Sequence, residues 1–188
     1  DVTKQSQEAK KAVPADFTDF GFNLYGQLDN GQRNLVFSPY SIGTAIGLTA
    51  AGTRGETYRE IAEVLGLPLA FESAHKAIAA STKTLDTKAE DNKALKFNTA
   101  NHLWLDKTLS VKSSYLDFIE TYYGAAFERL DIQKTPNKAV ERINSWVSDE
   151  TNGKISRLLG GLSNKTKSVL TNAVYFLGDW AHPFNKEN

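Results

Sequence analysis

The sequence predicts an α+β fold, a helical cluster packed on a mixed β-sheet, and three observations carry that expectation. Through most of the first half, apolar residues recur at spacings of three and four, the period of helices with one buried face. Strand-like runs come mostly later and are not adjacent in sequence, which suits a mixed sheet rather than a chain of hairpins. The last run, Ser168 to Trp180, is apolar on both faces with the amide of Asn172 at its middle. Such a strand belongs inside a sheet covered on both sides, and a buried amide needs partners, because leaving it unpaired costs about 1–3 kcal/mol.

Asp1 to Val13 is polar, carries lysines and has no helix start signal, so it is expected to fray. Phe17, Phe20, Leu24 and Leu28 predict an amphipathic helix from Pro14 to the Asn30-Gly31 pair. Leu35 to Phe37 reads as a short buried strand that runs through Ser38 into Pro39, a residue suited to the first turn of a helix. The helix that follows carries Gly43, Ala45, Gly47, Ala50, Ala51 and Gly52, small side chains that imply close approach of another backbone.

Thr53 and Glu56 fit a capping box opening a helix through Tyr58, Ile61 and Leu65, stopped by Gly66 and Pro68. A weaker helical pattern covers Glu72 to Leu85. Alternation of Leu95, Phe97, Thr99, Asn101, Leu103 and Leu105 predicts a strand with Trp104 on its opposite face. Ser113 to Tyr123 reads as a helix and Ala126 to Leu130 as a short strand. From Pro136, the residues Ala139, Val140, Ile143, Trp146 and Val147 form one apolar stripe that Asn152-Gly153 ends.

With 188 residues, 40% of them hydrophobic, the chain can bury a sizeable core. One domain is the default, and no repeat, low-complexity tract or long linker divides it. Twenty-two basic residues balance 22 acidic ones, so bulk charge gives no reason to expect a nucleic-acid or membrane partner. The absence of cysteine removes a disulfide framework, a thiol nucleophile and any thiolate metal site. Methionine is absent even at position 1, as a removed secretion signal or a shortened chain would leave it, and no apolar run is long enough for a membrane span. The expected location is secreted or extracellular, with the cytoplasm as the alternative. Asn164-Lys165-Thr166 matches the glycosylation sequon.

Enzyme chemistry finds little support. His75, His102 and His182 lie far apart, none sits in a metal-ligand pair, and no nucleophile elbow, P-loop or dinucleotide fingerprint is present, so no catalytic residue, metal or cofactor is expected. The acid pairs Glu90-Asp91 and Asp149-Glu150 are sequence neighbours whose side chains diverge. Lys76, Lys83, Lys88, Lys93 and Lys96 are interrupted by Glu72, Asp86, Glu90 and Asp91, and read as a mixed solvated face rather than a polyanion site.

In chain order the sequence contains Asn34-Leu35-Val36-Phe37-Ser38-Pro39-Tyr40-Ser41, the Gly43 to Gly52 helix, and Asn144-Ser145-Trp146-Val147 with Thr151-Asn152-Gly153-Lys154-Ile155. Thr171-Asn172-Ala173-Val174-Tyr175-Phe176 follows, and then Trp180 with Pro183-Phe184. In these motifs and their spacing it resembles the serpins over nearly its whole length. The resemblance implies a serpin-like fold in which this chain supplies the first helices and three neighbouring strands, about 95–105, 126–130 and 168–180, of a large central mixed sheet.

It implies further that residues 1–188 are about the N-terminal half of one domain. The reactive loop would lie in the other half, and the C-terminal half of the same protein would be a partner. The implied function is inhibition of a serine or cysteine protease as a suicide substrate, by insertion of the cut loop into the sheet; a non-inhibitory carrier or chaperone of the same fold is the alternative. Ser38, Ser41 and Asn172 match the family's shutter beneath the sheet, and Trp180 the aromatic at the breach. Ile143, Trp146 and Gly153 belong to the helix and following turn that lie across the sheet.

Overall fold

The computed structural model describes residues 13–92, 94–180 and 182. The expectation for Asp1 to Ala12 and the Pro183-Phe184 motif lie outside the described residues. In chain order the elements are α1 (Thr18–Leu28), α2 (Pro39–Ala50), α3 (Gly55–Val64), α4 (Phe71–Glu90), β1 (Leu95–Asp106), α5 (Ser113–Tyr123), β2 (Ala126–Leu130), α6 (Pro136–Glu150) and β3 (Ser168–Gly178). The strands form one sheet in the order β2-β1-β3, with β1 parallel to β2 and antiparallel to β3.

The alternation along β1 decides what covers each face. Leu103 and Leu105 enter the main core with Leu48 of α2, Ile78 of α4 and Ile119 of α5. His102 and Trp104 point the other way, where Trp146 of α6 meets both rings edge-on at centroid distances of 5.2 and 5.8 Å. Ala139, Ile143 and Val147 are buried along one side of α6, and Arg142 on the same helix reaches Glu128 of β2 at 2.8 Å. Among the described residues the sheet is therefore a layer between a helical cluster and the crossing helix α6.

Local details depart from the sequence reading in ways that have physical causes. Leu35 to Phe37 forms no strand: no neighbouring strand lies beside it among the described residues, and Val36 is 94% exposed. Thr53 does not cap α3, because its hydroxyl donates to Ala50 O at the end of α2, at 2.8 Å. The weak helix at 72 is a 20-residue helix, α4, whose inner face buries Ala74, His75, Ala77, Ile78 and Ser81; tertiary burial overrides its modest propensity. What approaches the small residues of α2 is side chain rather than backbone. A Cβ at Gly43 would meet the Phe17 ring at 2.7 Å, and one at Gly47 would meet Ile78 Cδ1 at 2.6 Å.

The largest correction concerns β3. Its two-sided apolar pattern led to the expectation of an interior strand, yet among the described residues it lies at the edge of the sheet, pairing with β1 alone. Thr171 and Ala173 are buried, but Phe176 and Leu177 near its end are 67% and 49% exposed. The strand also ends at Gly178, before Trp180. An apolar pattern signals what a strand can lie between, and the neighbour it calls for is not among the described residues.

At the opposite end of the sheet, Asp106 closes the ladder. Its Oδ1 accepts from Thr108 N at 2.9 Å and from the Thr108 hydroxyl, and its Oδ2 accepts from Gln133 N at 3.0 Å. Those bonds, led by the Thr108 hydroxyl, hold the carboxyl down at about 2. Because the folded pKa lies below the unfolded value, the stabilisation is fully present above the ordinary carboxyl value of 3.8 and is lost as pH falls from there through about 2. Thermal melts of wild type and Asp106→Asn between pH 5 and pH 2 are expected to show a lower midpoint for the variant at the upper end. The gap should close as the wild type is acidified, and a gap that stays constant would contradict this account.

Candidate functional site

Under β3, a run of side-chain hydrogen bonds joins four elements. Ser38 is the N-cap of α2, and its Oγ accepts from Ser41 N at 3.2 Å, with Pro39 in the first turn where its missing N–H does no harm. Ser41 donates its hydroxyl to Asn172 Oδ1. Asn172 Nδ2 donates to Asn101 Oδ1 on β1 at 2.8 Å, and Asn101 Nδ2 donates to Tyr123 O at the end of α5 at 3.3 Å. Asn101 and Asn172 are directly opposed in the register of β1 and β3, so their side chains share the face turned toward α2.

The run rests on a buried base. Tyr123 places its hydroxyl 2.5 Å from His75 Nδ1, and both residues are buried in the main core. Burial, with Arg54 nearby, lowers the His75 pKa to about 4, so the ring is neutral at pH 7. Burial likewise pushes the Tyr123 phenol upward.

On the other face of the same strand pair a second bond crosses the sheet. Trp104 Nε1 donates to Thr171 Oγ1 at 2.9 Å, and the Thr171 hydroxyl donates to His102 O at 3.3 Å. The His102 ring stacks on Trp104 with centroids 3.9 Å apart. Asn144 holds the chain that leaves α6, since its Oδ1 accepts from Leu158 N and Leu159 N at 2.9 and 2.8 Å while its Nδ2 donates to Leu159 O at 2.9 Å.

Of the residues singled out in the sequence, the structure brings Ser38, Ser41 and Asn172 together, with Ser41 the one that touches Asn172 and Ser38 acting through the helix cap. Ile143 is buried beneath α6 and Trp146 is half-buried against His102 and Trp104. Gly153, at φ 74°, turns the chain out of α6. Trp180 lies past the end of β3 and is 70% exposed. Asn164 is exposed at the far end of the sheet, where its carbonyl accepts from Gln133 Nε2 at 3.2 Å. Neither of these last two belongs to the hydrogen-bonded run. His75 and His102 are packing residues and His182 is exposed.

Asn101 and Thr171 escaped the sequence reading as site residues. Asn101 was visible as a polar member of the core-facing alternation of β1, and pairing it with Asn172 needed only the strand register.

The model of the family Serpin (serine protease inhibitor) matches residues 15–188. A serpin-like protein of Thermococcus kodakarensis is 34% identical over 184 residues, which cover 98% of this chain and 42% of that protein. Among solved structures, the Arabidopsis AtSerpin1 in its native stressed conformation superposes with a TM-score of 0.78 at 29% identity, over 89% of this chain and 44% of that one. The thermophilic serpin tengpin in its latent state gives 0.80 at 26% identity, over 90% and 44%. The chain belongs to the serpin family. It spans less than half the length of each of these relatives.

The hydrogen-bonded run yields a quantitative expectation. Asn172→Ala breaks the bonds to both Ser41 and Asn101 and should lower unfolding stability by about 1–3 kcal/mol. Ser38→Ala, which removes a helix cap, should cost about 0.5–2 kcal/mol. In a double-mutant cycle, denaturant midpoints for Asn101→Ala, Asn172→Ala and the pair should give a coupling of at least about 0.5 kcal/mol. Additive effects would show that the two amides are packed side by side without acting together.

Proposed function

We propose that this chain is the receiving half of a protease-inhibiting serpin, one domain completed by a C-terminal half that carries the reactive loop. The loop is cut by a target serine or cysteine protease and inserts as a new strand along the open edge of β3, which traps the protease while it is still attached. The observation that carries this reading is that β3 is anchored from below by Asn172 while its outer backbone edge pairs with no strand among the described residues.

The ladder geometry supports it. Asp179 N donates to Ala94 O at 3.2 Å and Asp106 N donates to Lys167 O at 2.8 Å, bonds that place the odd-numbered residues of β3 on β1. Leu170, Asn172, Val174 and Phe176 therefore turn their N–H and C=O groups to the open side. A strand laid there could make about eight bonds worth about 1 kcal/mol each, comparable to the roughly 5–15 kcal/mol stability of a whole domain. A native form without that strand would thus be higher in energy and held by a barrier. It would also cover Phe176 and Leu177.

Ser38, Ser41 and Asn172 form the shutter in this reading, to which the structure adds Asn101. Trp180, beyond the strand end, stands at the breach where the loop arrives first. Ile143, Trp146 and Gly153 belong to the crossing element that has to yield as the loop passes. That relatives in a native stressed and in a latent state superpose almost equally well on this chain supports its role as a frame that different occupants share. An extracellular site of action goes with this reading, with the cytoplasm as the alternative; Asn164 is exposed in its sequon. No helix among the described residues is long and apolar enough to cross a membrane.

The test uses the full-length protein, mixed with serine and cysteine proteases of different cleavage preference and run on a denaturing gel. A one-to-one protease complex that survives boiling in detergent is expected, together with a marked rise in the thermal midpoint of the cleaved inhibitor. Clean cleavage with neither result would overturn the inhibitory reading in favour of a carrier or chaperone of the same fold.

A further inference from the structure

We propose that the other side of the sheet carries a second strand-docking site: the free edge of β1 between Leu95 and Asn101 binds an extended basic segment of another protein. This is independent of loop insertion at β3, because it uses the opposite edge of the opposite strand.

The edge follows from the register. β2 is paired with β1 only from His102, which lies opposite Ala126, so among the described residues the first half of β1 has β3 on one side and no strand on the other. The bonds of Ala94 and Asp106 to the β3 side, and that of Lys107 N to Leu130 O at 2.9 Å on the β2 side, fix the alternation. Even-numbered residues of β1 bond toward β3 and odd-numbered ones bond away from it. Phe97 and Thr99 therefore each direct an N–H and a C=O outward where β2 has not begun, and no other group among the described residues takes them. Four half-buried backbone groups in that state call for a partner.

There is room for one. Two adjoining cavities, of about 520 and 410 Å³, run along this edge between β1 and α4, and share Asp86 and Asn98 in their walls. Leu95 to Asn101 spans seven residues, or about 23 Å at 3.3 Å per residue, enough to receive a strand of about five or six. The wall of α4 presents Ala79, Thr82 and Ala89 here, which leave the backbone edge open to approach.

The charge of the trough selects the occupant. Among the described residues, Asp86, Glu90, Asp149 and Glu150 line the larger cavity together with Lys96, and Lys83 stands in the smaller. Burial and the neighbouring Glu90 both raise the Asp86 carboxyl, so an added cation would relieve a repulsion already present. A strand presents side chains on one face at every second residue. The fitting ligand is thus an extended peptide with Lys or Arg at alternate positions, its backbone on Phe97 and Thr99 and its cations toward Asp86 and Glu90.

The probe is a fluorescein-labelled hexapeptide of alternating lysine and valine, with a glutamate–valine peptide as control, titrated into the full-length protein and followed by anisotropy at low salt. The lysine peptide is expected to bind with a dissociation constant on the order of 10–100 μM and the glutamate peptide at least about tenfold more weakly. Thr99→Pro, which deletes an outward N–H and leaves the β3 ladder intact, should weaken binding about tenfold. The double substitution Asp86→Asn with Glu90→Gln should do the same through charge alone, and decides the matter if the proline variant folds poorly. Bound peptide should slow amide exchange at Phe97 and Thr99. Equal binding of both peptides, protection at Val174 and Phe176 on β3 instead, or no binding at about 1 mM peptide would each overturn the proposal.

Discussion

The bond between Asn172 and Asn101 is the constraint on which the arrangement of this sheet depends. An amide can donate and accept at once, and Asn172 does both, giving its Nδ2 hydrogen to Asn101 while its Oδ1 accepts from Ser41. An ionised aspartate at 172 could not donate to Asn101, and a leucine could do neither. Trp104 and Thr171 bond across the same two strands on the opposite face. A slip of β3 by one residue would turn Asn172 toward α6 and Thr171 toward α2, breaking both bonds together. Two polar links on opposite faces therefore specify one register, which apolar contacts alone would leave open.

The same construction separates how β3 is held from what lies beside it. Its side chains are fixed from below by α2 and β1 and from above by Trp104, while its outer backbone groups take no part in that fixation. Among the described residues α6 is tied to its surroundings by Arg142 to Glu128 of β2, by Asn144 to the backbone at Leu158 and Leu159, and by Glu150, which accepts from Asn98 of β1 at its carbonyl and its carboxylate. None of these ties reaches β3. The edge of β3 can thus gain a neighbour without loss of the contacts that keep this half of the fold together.

Much of the fold was legible because the signals were local. The alternation of Leu95 to Leu105 and the Ala126 to Leu130 run gave β1 and β2 almost to the residue, and the stripe from Ala139 to Val147 gave the buried side of α6. The misreadings share one cause, which is that pattern reports what an element could pack against and not what is there. Leu35 to Phe37 and the outer side of β3 both carry apolar residues suited to a neighbouring strand, and both lie without one among the described residues. The glycines of α2 announced a close approach correctly, but only coordinates show that the Phe17 ring and the Ile78 methyl fill it. Within the site, the serines and Asn172 stood out through the resemblance to serpins. Asn101 did not, since its role exists only in the pairing of two strands about 70 residues apart in the chain.

The chemistry of the latch also explains why it should be indifferent to pH near neutrality. Its members are hydroxyls, amides and a backbone carbonyl, none of which titrates there. The two ionisable groups beneath it are driven away from charge, His75 down to about 4 and Tyr123 upward, by the same burial that lets them support Asn101. An ion pair in this position would have had to offset the desolvation of two charges, and would have left an unpaired buried charge whenever one partner moved. Neutral bonds of modest net strength hold β3 in register whether or not its open edge gains the strand proposed above. A latch of amides and hydroxyls thus restrains β3 without placing a charge in the dry interior beneath it.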